Sequence, residues 1–194
     1  MNWQTIFNPF SIFTEKQLVT GGLLITVIGS IIGFLCNGSY NGTLDMHIID
    51  NSKLLTVSLE NLINISTVTI LFLGLGKYFN SKTRVVDILN MAFWYRLPIY
   101  LVAFLTYLLL PTDFNHRVAN NIHTPEKLFS NPIEIILSAL LGICILLNIT
   151  YAIVLLVNGF KTATNTKKWQ NWVGFGFVIL ISEAITQYLI KHFL

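Results

Sequence analysis

The stretch "SKTRVVDILNMAFWYRLPIYLVAFLTYLLLP", Ser81–Pro111, decides how the chain is read. Its second half, Leu97–Leu110, is an apolar run without charge, yet Asp87, Asn90 and Arg96 come before it. A helix entering lipid at Val85 carries Arg96 roughly 16 Å deep at about 1.5 Å per residue. A charge near the bilayer centre costs about 2.5–3.5 kcal/mol on insertion scales, so one that persists faces other protein and finds a partner. A shorter reading makes Val85–Tyr95 an amphipathic interfacial helix, with Trp94, Tyr95 and Arg96 at the headgroup boundary. Only Leu97–Leu110 would then cross, about 21 Å of helix against a core of about 30 Å. That is too short without local thinning. In both readings Pro98 predicts a bend, because it removes a backbone donor and crowds the preceding turn.

Working outward, the whole chain shares this character. Of its 194 residues, 54% are hydrophobic and 11% charged, with mean hydropathy +0.66. Soluble domains carry about 25% charged residues. Five stretches meet the length of a membrane helix, at about 17–36, 54–76, 85–110, 132–157 and 172–193. No alternating strand pattern of barrel type competes with them. The expected fold is all-α, a polytopic bundle of five transmembrane helices in a single domain spanning 1–194.

Lys and Arg collect on alternate sides of the spans. One side takes Lys16, Lys77, Lys82, Arg84, Lys161, Lys167 and Lys168; the other takes Lys53, Arg117, Lys127 and Lys191. This predicts a cytoplasmic amino terminus and an outside carboxyl terminus, in the setting of a bacterial inner membrane. The net charge of +3 is thus topological and implies no nucleic acid. The first sixteen residues hold no early positive cluster and no cleavage site follows the first apolar run, so that span is expected to be retained.

The intramembrane polar residues are Glu60, Asn64, Asp87, Asn90, Arg96, Asn148 and Glu183. Entered from Trp172, Glu183 lies roughly 16 Å deep by the same rise, level with Arg96. Glu60 is the second candidate partner for Arg96. Such a network serves either helix register or a transport path. Asp87 is expected near the cytoplasmic boundary, and Glu134 suits the start of the fourth helix. Gly29 and Gly33 form a small-xxx-small face for close helix packing, internal rather than dimeric.

Trp3, Ile6, Phe7, Phe10 and Phe13 recur at helical spacing around Pro9 and suit an interfacial element. The loop Asn37–Lys53 has two Asn-Gly turn signals. Its Asn37-Gly-Ser39 and Asn41-Gly-Thr43 match the glycosylation pattern and are read as turns. His47, His116 and His123 read as solvated loop residues, and Cys36 and Cys144 as small apolar core residues. "GLGKY", Gly74–Tyr78, lacks the earlier glycine and the following Ser or Thr of a phosphate loop. With no HExxH, GxSxG or catalytic His/acid cluster, no enzyme, cofactor or metal is implied.

"NPF" (Asn8–Phe10) before the first span and "GKYFNSKTRVVDILNMAFWYRLP" (Gly76–Pro98) entering the third carry a resemblance. They combine a basic turn, an Asp at the start of the third span and an Arg ahead of Pro98. On these residues the chain resembles the Yip family of five-span membrane proteins, its bacterial branch in particular. The resemblance implies five spans with a cytoplasmic amino terminus. Eukaryotic members bind Rab-type GTPases and shape or sort secretory membranes through a longer cytoplasmic amino-terminal region with its own motif. About sixteen residues stand there in this chain and the motif is absent, which speaks against a GTPase partner. The expected function is a non-enzymatic scaffold in membrane organisation, or a partner of other membrane proteins. The residues to meet the lipid bilayer or that partner are Trp3, Phe7, Phe10, Lys77, Lys82 and Arg84, at about 1 kcal/mol per basic residue near anionic lipid. The alternative is a small-solute or ion transporter using Glu60, Asp87, Arg96 and Glu183.

Overall fold

The computed structural model describes residues 3–49, 51–111, 114, 117, 132–166 and 168–194. His116, His123, Lys127 and Lys167 lie outside the described residues.

A short helix α1 (Trp3–Phe7) and a 3-10 turn (Pro9–Ser11) precede the first long helix, α2 (Glu15–Leu35). Thr14 starts α2 with a reciprocal cap: its Oγ1 accepts from the Gln17 N–H, and the Gln17 side chain accepts from the Thr14 N–H, two otherwise orphaned donors satisfied at once. α3 (Leu54–Phe79) follows, then α4 (Val85–Trp94) and α5 (Leu97–Leu109), then α6 (Pro132–Thr164) and α7 (Gln170–Phe193). Counting α4 and α5 as one broken span, five helices among the described residues are long and apolar enough to cross a membrane. Among the described residues the fold is all-α apart from one small hairpin, and the fourth span runs to Thr164, beyond its expected end near 157.

The break falls at Tyr95–Arg96, ahead of Pro98, the second residue of α5. Proline has no N–H for the Trp94 carbonyl, so the ladder cannot run through this point. α4 is not an interfacial helix: Ile88, Asn90, Met91, Ala92 and Phe93 are buried. In the most apolar window of Val85–Leu109, 67% of residues are buried, against 22–39% in the other four spans. This broken span is the centre of the bundle, and the others present apolar faces outward, as lipid-facing helices must.

Glycines on α2 allow that central span and the segment after α2 to approach. A Cβ on Gly22 would come within 2.6 Å of Phe93, one on Gly29 would overlap the Tyr100 ring, and one on Gly33 would sit 2.7 Å from Tyr40. The Gly29–Gly33 face therefore packs within the chain. Aromatic rings of Phe72, Phe160, Trp172 and Phe175, with centroids 5.1–6.5 Å apart, join α3, α6 and α7.

The segment Asn37–Lys53, read as a loop with two turns, folds into the bundle. Strands β1 (Gly38–Ser39) and β2 (His47–Ile48) pair antiparallel, and the tip between them turns back into the bundle, where Tyr40 and Thr43 are fully buried. Asn37 takes a left-handed turn at φ 51°, in keeping with its turn reading.

Candidate functional site

The hairpin tip is non-helical backbone inside a membrane bundle. Such backbone is tolerated only where protein satisfies its N–H and C=O groups. That need explains Glu60, Asn64, Arg96 and Glu183 among the intramembrane polar residues. Two carboxylates, which are pure acceptors, take amide hydrogens; a guanidinium and an amide, which donate, take carbonyls.

On α3, Glu60 Oε2 accepts the Tyr40 N–H at 2.7 Å and Oε1 accepts the Ser39 hydroxyl at 2.7 Å. One turn further, Asn64 Nδ2 donates to the Tyr40 carbonyl at 2.7 Å. From the break between α4 and α5, Arg96 Nη1 donates to the Gly42 and Thr43 carbonyls, both at 3.1 Å. From α7, Glu183 Oε2 accepts the Leu44 N–H at 2.9 Å. Thr43 Oγ1 donates to Ser182 Oγ at 3.3 Å.

Arg96 is completely buried, and a direct ion pair with Glu183 or Glu60 does not form within 4.0 Å. The Thr43–Leu44 peptide stands between Arg96 and Glu183 instead: its carbonyl takes the cation and its N–H takes the acid. The peptide dipole is thereby aligned between the opposite charges. Around the guanidinium, the rings of Tyr40, Tyr100 and Tyr95 lie with centroids 5.1, 5.5 and 5.9 Å away. Their negative faces supply further stabilisation to a desolvated cation.

Asn61 joins this group to α2. Its Oδ1 accepts from Arg96 Nη2 at 2.9 Å and from the Tyr100 hydroxyl at 3.0 Å, while its Nδ2 donates to Ser30 Oγ at 2.9 Å. The Tyr40 hydroxyl closes the far side on the Gly29 carbonyl at 3.0 Å. Sequence reasoning missed Ser39, Tyr40, Thr43, Asn61 and Tyr100. Asn61 was findable, since it stands beside Glu60 on a polar stripe completed by Asn64.

The other expected members lie apart. Asp87 is at the end of the bundle where α4 starts. There Arg84 donates Nε to its Oδ2 at 2.9 Å and Nη2 to its Oδ1 at 2.6 Å, and reaches Glu15 Oε2 with Nη1 at 2.8 Å. The hydrogen bond to Asp87 is the largest cause raising the Arg84 guanidinium above its ordinary pKa. Asn90 is buried on α4 with no partner at Oδ1. Asn148 only bonds the Cys144 carbonyl of its own helix. Glu134, at the start of α6, forms a two-point pair with Arg117.

At the end that carries the starts of α2, α4 and α7, the aromatic element is held down. Tyr151 donates to the Ile6 carbonyl at 2.9 Å and Asn158 Nδ2 to the Phe7 carbonyl at 2.7 Å. Phe10 packs against the core near Gly159, whereas Trp3 stays exposed. Lys77 donates to the Ser81 carbonyl at 3.2 Å, and Lys82 is exposed. A cleft of about 690 Å³ opens here between the ends of α3 and α6 and the start of α7, and another of about 440 Å³ lies beside β2, α5 and α6. Neither is lined by Arg96, Glu60 or Glu183.

Residues 3–187 match the Yip1 domain family. No curated protein and no solved structure matches the chain.

Proposed function

Because the chain belongs to the Yip1 domain family, we propose that this multi-pass membrane protein is a non-enzymatic scaffold that organises membrane or holds other membrane proteins, in a bacterial inner membrane with its amino terminus cytoplasmic. The observation that carries the reading is the state of Arg96. Its charge is fully buried and occupied by hairpin carbonyls, Asn61 and three aromatic rings. A transport path through Glu60, Asp87, Arg96 and Glu183 requires water to reach these groups together. Asp87 is instead engaged by Arg84 at the bundle end, and the buried Glu60 and half-buried Glu183 hold backbone N–H groups. The polar interior works as a latch that fixes a rigid shape.

The working surface is then the cytoplasmic rim: Trp3, Phe7 and Phe10 of the aromatic element with Lys77 and Lys82, Arg84 being paired to Asp87 and Glu15. Its partners are anionic lipid or an acidic segment of another membrane protein. Reconstitution into liposomes, with ion and small-solute fluxes followed in time, tests the reading. The expected result is flux equal to protein-free liposomes. Flux above that level, abolished by Glu183→Gln, overturns it in favour of a transporter.

A further inference from the structure

We infer that the cleft at the ends of α3 and α6 and the start of α7 binds the phosphate-bearing headgroup of an anionic phospholipid. Its walls include Tyr78, Asn80, Thr166, Lys168 and Asn171. Asn80 and Asn171 each use one amide hydrogen on the protein, to the Thr164 carbonyl at 3.1 Å and to Thr166 Oγ1 at 2.7 Å. Each Nδ2 carries two hydrogens, so a second donor remains on both. Lys168 adds a full positive charge.

The sequence around the cleft is one-sided in charge. No Asp or Glu occurs between Glu60 and Asp87 or between Glu134 and Glu183, while Lys77, Lys82, Lys161 and Lys168 fall in those intervals. The cleft also adjoins the N-terminal end of α7, where the helix dipole favours an anion. A volume of about 690 Å³ accommodates a phosphodiester with its glycerol and not merely a bare ion.

The position selects lipid over soluble phosphate. Tyr78 is 84% exposed and Trp169 71% exposed beside the cleft, as aromatics are at the headgroup level of a membrane. Val173 and Phe177, each one turn further along α7 on the same face as Trp169, are exposed and apolar, so the span beside the cleft presents a surface for acyl chains. A headgroup in the cleft thus leaves its tails where tails belong. The inference rests on the reading of this rim as a surface for anionic lipid and narrows it to one site; its failure and that of the scaffold reading are told apart, since lipid retention and solute flux are read separately.

The test uses the full chain in non-ionic detergent, with native mass spectrometry of retained phosphatidylglycerol against phosphatidylcholine of the same chains. Preferential retention of phosphatidylglycerol is expected. Lys168→Gln should lower it about fivefold, the value of one basic residue near anionic lipid, Lys168→Arg should restore it, and Lys191→Gln at the opposite end should leave it unchanged. Equal retention of the two lipids, an equal loss with Lys191→Gln, or no loss with Lys168→Gln overturns the inference. Displacement of the lipid by an equal concentration of glycerol phosphate also overturns it, identifying a site for soluble phosphate.

Discussion

Replacing Arg96 with Met separates a latch on backbone from an ion pair. The substitution keeps an unbranched apolar stem and removes the donors to the Gly42 carbonyl, the Thr43 carbonyl and Asn61 Oδ1. Asn61 Oδ1 keeps the Tyr100 hydroxyl, so two carbonyls lose the donor that served them. Each buried acceptor left bare costs about 1–3 kcal/mol. Relief from burying a charge offsets part of this, leaving an expected loss of about 3 kcal/mol. Glu183→Gln preserves an acceptor for the Leu44 N–H and should cost only about 1 kcal/mol. A direct pair behaves otherwise: removing either partner of a buried ion pair costs about 3–5 kcal/mol, with strong coupling. Reversible unfolding by sodium dodecyl sulfate in mixed micelles, followed by tryptophan fluorescence, measures Arg96→Met, Glu183→Gln and the double variant that combines them. A cost for Arg96→Met below about 1 kcal/mol, or a cost for Glu183→Gln as large as that for Arg96→Met, refutes the reasoning.

Gly29→Ala should destabilise the protein by about 1–3 kcal/mol through overpacking, because its Cβ would overlap Tyr100, whereas Gly142→Ala meets nothing within 4 Å and should be neutral or stabilising in the same unfolding assay. Asn61→Leu takes the acceptor from Arg96 Nη2 and the Tyr100 hydroxyl and a donor from Ser30 Oγ and should cost at least about 2 kcal/mol, while Asn148→Leu, which gives up a bond within its own helix, should stay within about 0.5 kcal/mol. Tyr151→Phe and Asn158→Leu each remove one tether of the amino-terminal element and should each speed amide hydrogen exchange there by about fivefold, for bonds worth about 1 kcal/mol, with global unfolding unchanged.

Of the candidate site, the chemistry was legible and the partners were not. Glu60, Asn64, Arg96 and Glu183 announce themselves because ionised or amide groups in apolar helices have to be satisfied. Level depth made Glu183 a plausible direct partner for Arg96, but depth is one coordinate of three. What lies between them is a segment whose Asn-Gly pairs and Asp45 read as a solvated loop. Asp87 and Asn148 belong to the same class of residue by sequence and stand outside the network, one at the bundle end and one facing its own helix. The choice of Glu60 and Asn64 passed over Asn61, whose neighbour across the interface is Ser30 of a different helix.

By itself the sequence determined five crossings, their approximate limits, a break near Pro98 and a basic rim, because hydropathy, helix rise and a missing proline donor act locally. Only the tertiary structure decided that the segment after the first span folds inward and that the buried charges serve its backbone. Those bonds join residues between 20 and 139 positions apart. No local pattern encodes them, since a buried peptide group accepts whichever donor or acceptor the packed helices bring to it.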